Sequence, residues 1–292
     1  FGWVPFDPTP GRGQLDGSYS AASLNFDLNA VSAAIAAGGG ALDAADFKLD
    51  SGAFERVSGP ARDAGGRDIP GDVSGTSGGA SHGGLLKLLA LTHAGITTDE
   101  FDAVCRNWLA SARHPRFGRP YPATVYQPMV ELLGLLDRHG FSCWIFSGGG
   151  TDFMRTWTAD GYGLPPHRVI GSVGETEFRI GDGGPELVKT AKVGIINDGP
   201  QKPSSIHRHV GQRPILAAGN TDGDLAMLQW TAASPYRTLE LVVHHTDGDR
   251  EYAYDRDPIL GSGTGQILAA AAEHKWAVID MAADWATIHP DT

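Results

Sequence analysis

Cysteine is scarce in this chain of 292 residues, since only Cys105 and Cys143 occur. Two cysteines cannot form the framework of several disulfides that stabilises many small secreted domains. Cys143 also lies inside an apolar run, which is typical of a buried thiol. We therefore expect a hydrophobic core to hold the fold, and a chain of this length is long enough to bury one.

Basic residues are also scarce. Lysine and arginine total 23 against 34 aspartate and glutamate residues, which gives a formal net charge of -11. Nucleic-acid-binding surfaces need clustered basic residues, so this balance predicts no nucleic-acid partner. The chain also lacks the run of about twenty apolar residues that a membrane-spanning helix requires. We expect a soluble protein with no membrane partner, and the composition leaves open its oligomeric state and whether it is cytoplasmic or periplasmic.

Sustained hydrophobic periodicity is missing from the first 83 residues. Glycine-rich stretches such as AAGGGALDAAD give little indication of packed elements. Two short elements are still predicted there, a strand over 23–26 and a helix over 28–37 that ends at a glycine triplet. This part of the chain is therefore the least informative about the fold.

From residue 84 onward the apolar residues follow a helical period. Residues 84–94 and 98–112 predict helices, and the second has Thr98 as its predicted N-cap and acidic residues in its first turn. Residues 124–139 predict a third helix, with Gly140 placed where a C-terminal cap belongs. The apolar face of this third helix comprises Met129, Leu132, Leu133 and Leu136.

Short apolar segments alternate with helices after residue 140. Such alternation is typical of an α/β fold, in which helices cover both faces of a mostly parallel sheet. Ligands bind to sheets of this kind at the carboxyl ends of the strands. The predicted strands are residues 141–146, 167–172, 213–218, 239–245 and 276–281, and residues 177–190 are predicted to form a hairpin that turns at 181–184.

The first polar loop at such a carboxyl end is SGGG, which follows the strand predicted over 141–146. Ser147 supplies a hydroxyl, while Gly148 and Gly149 allow the backbone to approach a ligand closely and to donate N–H groups just before a helix begins. This combination favours a phosphate group. From these residues alone, a flexible strand-to-helix turn is an equal alternative.

The second polar loop, GNTDGD, follows the strand predicted over 213–218. Asn220, Asp222 and Asp224 carry oxygen ligands of the kind that magnesium takes. Lys202 lies between the two loops in sequence and would bring a positive charge to the same ligand. Each feature alone also fits a solvated turn or a solvated lysine, so it is the order of the three that indicates a site.

The run FSGGGTDFM, Lys202 within GPQKPSSI, and GNTDGDLAML resemble in this order the second, third and fourth motifs of the haloacid dehalogenase (HAD) superfamily, in its phosphoserine-phosphatase-like branch. The resemblance extends over about residues 84–288. It implies a Rossmann-like, mostly parallel sheet with a helical cap inserted near the N-terminus. The implied division is a first core strand within 1–31, a C1-type cap over 32–124 and the α/β core over 125–292.

The resemblance also implies a magnesium-dependent phosphomonoester hydrolase that acts on a small phosphorylated metabolite through an aspartyl-phosphate intermediate. Ser147 would bind the transferring phosphoryl group, and Lys202 would neutralise charge shared by the nucleophile and the phosphate. Asn220 and Asp224 would complete the Mg²⁺ site. Because Asn220 stands where the family more often has an aspartate, it brings no negative charge, and Asp222 would have to compensate.

The first motif of the superfamily, Asp-x-Asp-x-Thr after an apolar strand, does not occur in this sequence. Two segments compete for its place. LNFDLNAV offers Asp27 as nucleophile and metal ligand, with Asn29 where the second acid belongs, and VPFDPTP offers Asp7 with Thr9 nearby. For Asp7 and Asp27 alike, a turn or cap aspartate is the favoured interpretation.

The missing first motif keeps a second function open. Asn29 cannot transfer a proton, so even a working Asp27 would forfeit the factor of roughly 10² to 10⁴ in rate that general acid–base catalysis contributes. The alternative is a HAD-like protein that retains the phosphate and metal pocket, lacks a working nucleophile and serves as a binding or interaction protein.

Two further groups of polar residues are weaker candidates. Arg113, Arg116 and Arg119 precede the predicted core and would meet an anionic substrate or, equally well, face solvent. His244 and His245 end a predicted strand at the edge that carries the polar loops. We interpret this pair as mostly structural, since no third ligand accompanies it in the sequence.

Overall fold

The computed structural model describes residues 47–50, 53–56, 90, 93–253 and 263–291. These residues form a mixed α/β structure with small parallel sheets, which confirms the α/β class. The strand predicted over 23–26 and the helix predicted over 28–37 lie outside the described residues. So does almost all of the helix predicted over 84–94, of which residue 90 is helical and residues 93 and 94 form a turn.

After residue 140 the strands and helices of the described residues alternate as predicted, whereas the pair of short strands within 47–56 was not predicted. The strands are β1 Phe47–Asp50, β2 Ala53–Arg56, β3 Ile145–Gly150, β4 Val169–Ser172, β5 Gly174–Gly181, β6 Gly184–Val193, β7 Leu216–Gly219, β8 Leu239–His244 and β9 Ala277–Asp280. The helices are α1 Thr98–Ser111, α2 Gln127–Arg138, α3 Thr151–Arg155, α4 Thr158–Tyr162, α5 Gln201–Val210, α6 Leu225–Ala232, α7 Gly265–His274 and α8 Met281–Asp284. None of these helices is long and apolar enough to cross a membrane.

The chain divides into two compact units. Of the described residues, the first unit holds 122–172 and everything from 196 onward. The second unit holds β1, β2, residues 93–121 and the 173–195 hairpin. The domain boundaries predicted after residues 31 and 124 stay predictions.

The first unit contains two blocks of parallel strands. In one block β3 pairs with β4, with Phe146 opposite Ile170. In the other, β8 lies between β7 and β9, with Leu241 opposite both Ala218 and Ala277. Among the described residues no hydrogen-bonded ladder joins β3 to β7. All of these ladders are parallel, as the apolar, turn-flanked strand segments predicted.

One hydrophobic core connects the two blocks. Phe146 and Ile170 of the first block, Ala217 and Val242 of the second, and Ile206 of α5 belong to a single buried cluster. Helices α6 and α7 add Leu228 and Ile267, each of which is fully buried and therefore contributes roughly 1.5–3 kcal/mol to stability. Blocks that share one core are held in a fixed relation, and so are the loops that follow their strands.

A second core covers the opposite face of β7 and β8. Because neighbouring strand residues face opposite sides, Ala218 and Val243 leave the first cluster and pack with Met129 of α2. Met281 and Trp285 complete this cluster from the end of the chain. Helices thus cover both faces of the block, as predicted for an α/β sheet.

In the second unit α1 packs beside the β5–β6 hairpin. The Lys189 ammonium lies 4.4 Å from the centre of the Phe101 ring, and the Gly95 N–H donates to the Lys189 carbonyl at 2.8 Å. The N-cap of α1 is Thr97, so the prediction of Thr98 was wrong. The Thr97 hydroxyl accepts from the Glu100 N–H, and the Glu100 carboxylate accepts from the Thr97 N–H. This reciprocal capping box fixes the start of the helix one residue earlier.

Several predicted boundaries also shift. The strand predicted over 141–146 begins at Ile145 and runs through Gly150, because the glycines after Ser147 continue in extended conformation and Gly150 reaches Ser172 of β4. The helix predicted over 124–139 begins at Gln127, where Pro128 occupies the first turn, and residues 121–124 form a separate 3-10 turn. Gly140 follows this helix with a φ of 80°, as its predicted role in the cap requires.

Candidate functional site

The last four residues of β3, 147–150, and the polar loop at the end of β7 lie at the carboxyl ends of parallel strands in the first unit. A third segment, residues 197–202, leads into α5 and bonds to both loops. We call the three segments 147–150, 197–202 and 219–224 together the carboxyl edge. Their mutual contacts determine what this edge can bind.

Ser147 is 5 % exposed and stands where β3 leaves the core. Its hydroxyl oxygen accepts a hydrogen bond from the Gly149 N–H at 3.1 Å. Within the described part of the chain no acceptor takes the Ser147 hydroxyl proton, which can therefore be donated to a ligand. The backbone at Gly149 and Gly150 is exposed, so an anion can approach it closely.

Asn197 fixes the loop of Ser147 to the neighbouring strand, and nothing in the sequence analysis singled it out. Its side chain is fully buried, and its amide nitrogen donates to the carbonyls of Ser147 at 3.1 Å and Ile170 at 3.3 Å. Its backbone N–H donates to the Ser172 hydroxyl, which in turn donates to the Gly148 carbonyl at 2.7 Å. These hydrogen bonds therefore hold the carboxyl ends of β3 and β4 together.

Lys202 and Asp224 form a buried ion pair between the second and third segments. Lys202 Nζ lies 2.5 Å from Asp224 Oδ1, and each residue is only 5 % exposed. Asp224 Oδ2 accepts from the backbone N–H groups of Asn220 at 2.9 Å and Thr221 at 3.2 Å. The pair is supported further by the Gly199 N–H, which donates to the Gly223 carbonyl. The structure therefore brings Lys202 and Asp224 into contact, as expected for two residues that the sequence assigns to one candidate site.

The surroundings of Asp224 favour its ionised form. Burial is the largest single influence and opposes ionisation, but the positive charge of Lys202 and the hydrogen bonds from Lys202 and Asn220 outweigh it, so the pKa of Asp224 lies below its ordinary value. The Asp224 carboxylate is consequently ionised at neutral pH. Buried ion pairs add little net stability compared with apolar packing, which makes such a pair at a strand end a candidate for function.

Gly219 allows Asp224 to take this position. A Cβ atom on residue 219 would lie 2.4 Å from the Cβ of Asp224 and 2.7 Å from its carboxyl carbon. Both distances are far shorter than a van der Waals contact. The turn after β7 therefore requires a glycine at position 219, because the Asp224 side chain packs directly against the backbone there.

Asn220 and Asp222 have different partners, although only one residue separates them. The Asn220 amide nitrogen lies 3.1 Å from Nε2 of His245, a residue that directly follows β8. Asp222 turns toward α7, where its Oδ1 accepts from the Ile267 N–H at 2.8 Å and caps the first turn of that helix. The role of Asp222 as a magnesium ligand stays a prediction.

The remaining predicted residues fall into two groups. Asp7 and Asp27 lie outside the described residues. In the second unit, Arg113 donates to the carbonyls of residues 110–112 at the end of α1, and the Arg116 guanidinium lies 5.6 Å from the centre of the Phe117 ring. Arg119 accepts a bond from the His114 N–H through its backbone carbonyl.

The donor chemistry at the carboxyl edge fits magnesium better than zinc. Asn220 and Asp224 offer hard oxygen atoms, which magnesium prefers, whereas zinc is usually held by histidine and cysteine. In the described ranges no three His, Cys, Asp or Glu side chains cluster closely enough to hold a metal ion by themselves. A complete magnesium site would need a further oxygen ligand, for which the sequence offers Asp27 or Asp7.

No protein-family model matches the chain, and no curated protein matches it at a significant level. The case for a function consequently rests on the residues of the carboxyl edge and their geometry. That geometry combines hydroxyl and backbone donors, a buried ammonium group and oxygen ligands within one hydrogen-bonded set of loops.

Proposed function

We propose that this protein is a magnesium-dependent phosphomonoester hydrolase of the HAD superfamily, acting on a small phosphorylated metabolite through an aspartyl-phosphate. One observation carries the proposal: segment 197–202 bonds to the Ser147 loop through Asn197 and to the Asp224 loop through Lys202. Phosphoryl transfer depends mainly on positioning and charge neutralisation. A phosphate-binding loop, a buried ammonium group and a carboxylate held together supply both.

The anion-binding half of the site consists of Ser147 and the glycines after it. The hydroxyl proton of Ser147 would be donated to an oxygen of the phosphoryl group, and the exposed backbone at Gly149 and Gly150 would let that group approach closely. Lys202 would neutralise part of the charge that gathers on the phosphoryl oxygens and the nucleophile. Its bond to Asp224 holds the ammonium group in place before substrate arrives.

Asn220 and Asp224 would hold Mg²⁺, directly or through water, together with the nucleophilic aspartate. The bound cation would supply charge neutralisation and alignment of the nucleophile with the phosphoryl group. Asp27, or in its place Asp7, would attack phosphorus, and the bond from phosphorus to the ester oxygen would break as that oxygen takes a proton from solvent water. Water would then hydrolyse the aspartyl-phosphate and regenerate the carboxylate.

Turnover of p-nitrophenyl phosphate with and without Mg²⁺ tests this proposal. We expect hydrolysis that requires Mg²⁺ and falls by roughly 10²-fold or more in Lys202→Ala and Asp224→Asn, because each removes a charge from the reacting centre. Matched controls are Lys192→Ala and Asp182→Asn, which change exposed residues of the hairpin in the second unit. Hydrolysis that survives both site substitutions at the control rate would contradict the proposal.

The sequence favours one competing function, since it lacks the Asp-x-Asp-x-Thr string. A protein that keeps the Ser147 and Lys202 pocket but lacks a nucleophile would bind phosphate without turning it over. Calorimetric titration with vanadate or inorganic phosphate distinguishes the two functions. Stoichiometric binding without turnover, abolished in Lys202→Ala, would support the binding protein over the hydrolase.

A further inference from the structure

His245 contacts the carboxyl edge from the end of the neighbouring strand. It is 1 % exposed, follows β8 at the carboxyl end, and its Nε2 lies 3.1 Å from the amide nitrogen of Asn220. The ring of Tyr126 lies 5.7 Å from the imidazole, centre to centre, and Tyr126 itself packs against Trp285 at 5.4 Å. The aromatic surroundings limit how the imidazole can turn.

The chemistry of an amide makes this contact consequential. An asparagine side chain carries an acceptor oxygen on one branch and a donor nitrogen on the other, and a cation binds only the oxygen. The terminal torsion of asparagine is broad and roughly two-fold, so the isolated side chain exchanges the two branches easily. A neighbour that accepts a hydrogen bond from the nitrogen selects one of the two orientations.

We propose that His245 is a positioning residue that keeps the amide oxygen of Asn220 turned toward the cation of the carboxyl edge. Nε2 accepts from the Asn220 amide nitrogen, which leaves the oxygen on the branch away from the imidazole. The inference rests on the proposed function, because it assigns Asn220 to the Mg²⁺ site. It also explains how an asparagine serves where an aspartate, with two equivalent oxygens, would need no such selection.

The test compares Mg²⁺ affinity in His245 variants, measured by calorimetry and by Mn²⁺ competition in electron paramagnetic resonance. His245→Phe keeps the buried ring and removes the acceptor, so we expect Mg²⁺ binding to weaken about 10- to 100-fold, as for other residues that orient metal ligands. His245→Gln places an acceptor near the position of Nε2, and we expect affinity within about threefold of wild type. His207→Gln, an exposed change on α5, is the control.

A second substitution separates orientation from packing. In Asn220→Asp either carboxylate oxygen can bind the cation, so the orientation of the side chain no longer matters. The double variant Asn220→Asp with His245→Phe should therefore differ from Asn220→Asp alone by less than about threefold in Mg²⁺ affinity. An equal loss in both backgrounds would overturn the proposal, and so would an unchanged affinity in His245→Phe. Thermal unfolding followed by circular dichroism verifies that each variant is folded.

An experiment on the unaltered protein covers the case in which His245→Phe does not fold. Nitrogen-15 spectra of the histidine side chains report whether Nε2 of His245 carries a proton. We expect an unprotonated Nε2 coupled to the Asn220 amide, and a protonated Nε2 at neutral pH would overturn the proposal. If the wild-type protein binds Mg²⁺ and His245→Phe binds it equally well, only this inference is wrong. If the wild-type protein binds no Mg²⁺, both the proposed function and this inference are wrong.

Discussion

The carboxyl edge of the first unit and the arginine segment of the second unit, residues 113–119, both carry charged side chains, but the structure uses them differently. At the carboxyl edge Lys202 and Asp224 are buried and bond to each other across 22 positions of sequence. In the arginine segment, Arg113 bonds to carbonyls one to three positions before it. A charge that is buried and has a distant partner indicates a site, whereas a charge that satisfies its own helix end indicates local structure.

The largest expected effect comes from breaking the ion pair. Asp224→Asn leaves the ammonium group of Lys202 buried without its counter-charge, and we expect the free energy of unfolding to fall by about 3–5 kcal/mol. Urea denaturation measures this loss, and the double variant Lys202→Met with Asp224→Asn should recover part of it because no buried charge remains. Asp182→Asn, on the exposed hairpin turn, should change stability by no more than about 0.5 kcal/mol. A loss in Asp224→Asn as small as that of the control would contradict the account.

A smaller loss of unfolding free energy is expected when the backbone next to the ion pair is changed. Gly219→Ala introduces a methyl group 2.4 Å from the Asp224 Cβ, and the overpacked turn should cost about 1–3 kcal/mol of unfolding free energy. Gly265→Ala is the matched control, since nothing lies within 4 Å of the added methyl group at the start of α7. If both substitutions lower the thermal unfolding temperature equally, the close approach of Gly219 to Asp224 is not what limits stability at this turn.

The two aspartates of the third segment provide the next contrast. Asp222→Ala removes the cap of α7, and we expect a loss of about 0.5–2 kcal/mol in unfolding free energy. Because one carboxylate oxygen of Asp222 already accepts from the Ile267 N–H, we expect the contribution to Mg²⁺ binding that the sequence predicted for it to be small, with affinity within about threefold of wild type. A calorimetric titration that shows a much larger loss of affinity would instead assign Asp222 to the metal site.

The smallest effect is expected in the arginine segment. Arg113→Ala removes a cation from the C-terminal end of α1, which should cost about 0.3–1 kcal/mol. The Michaelis constant for p-nitrophenyl phosphate should not change, because these bonds lie within the helix end. A rise in that constant without loss of stability would return Arg113 to the list of substrate-binding residues.

Much of the fold after residue 140 could be predicted because its strands are short apolar runs between turn-forming residues. The segments around Val169, Leu216 and Leu239 became parallel strands with ends within three residues of those predicted. The start of β3 was less predictable, since Phe141 and Trp144 are as apolar as strand residues but precede the ladder, which begins at Ile145.

The site could be predicted only in part, and the reason is sequence separation. Ser147, Asn220 and Asp224 were identifiable because polar residues that follow strands gather at one edge, and Lys202 was identifiable because it lies between the two polar loops in the sequence. Asn197 was not, because its bond to the Ser147 carbonyl spans 50 positions and depends on how β3 and β4 pair. His245 was interpreted as structural because no third ligand accompanies the histidine pair in the sequence, and its contact with Asn220 appears only when β7 and β8 lie side by side.

Borohydride trapping of the phosphorylated enzyme reveals whether an aspartyl-phosphate forms and at which residue. Reduction of an aspartyl-phosphate yields homoserine, which mass spectrometry of peptides assigns to one residue. We expect homoserine at Asp27 or Asp7 after incubation with substrate and Mg²⁺, and no homoserine when Mg²⁺ is left out or Lys202 is replaced by alanine. Turnover of substrate with no homoserine at either aspartate would contradict the proposed mechanism.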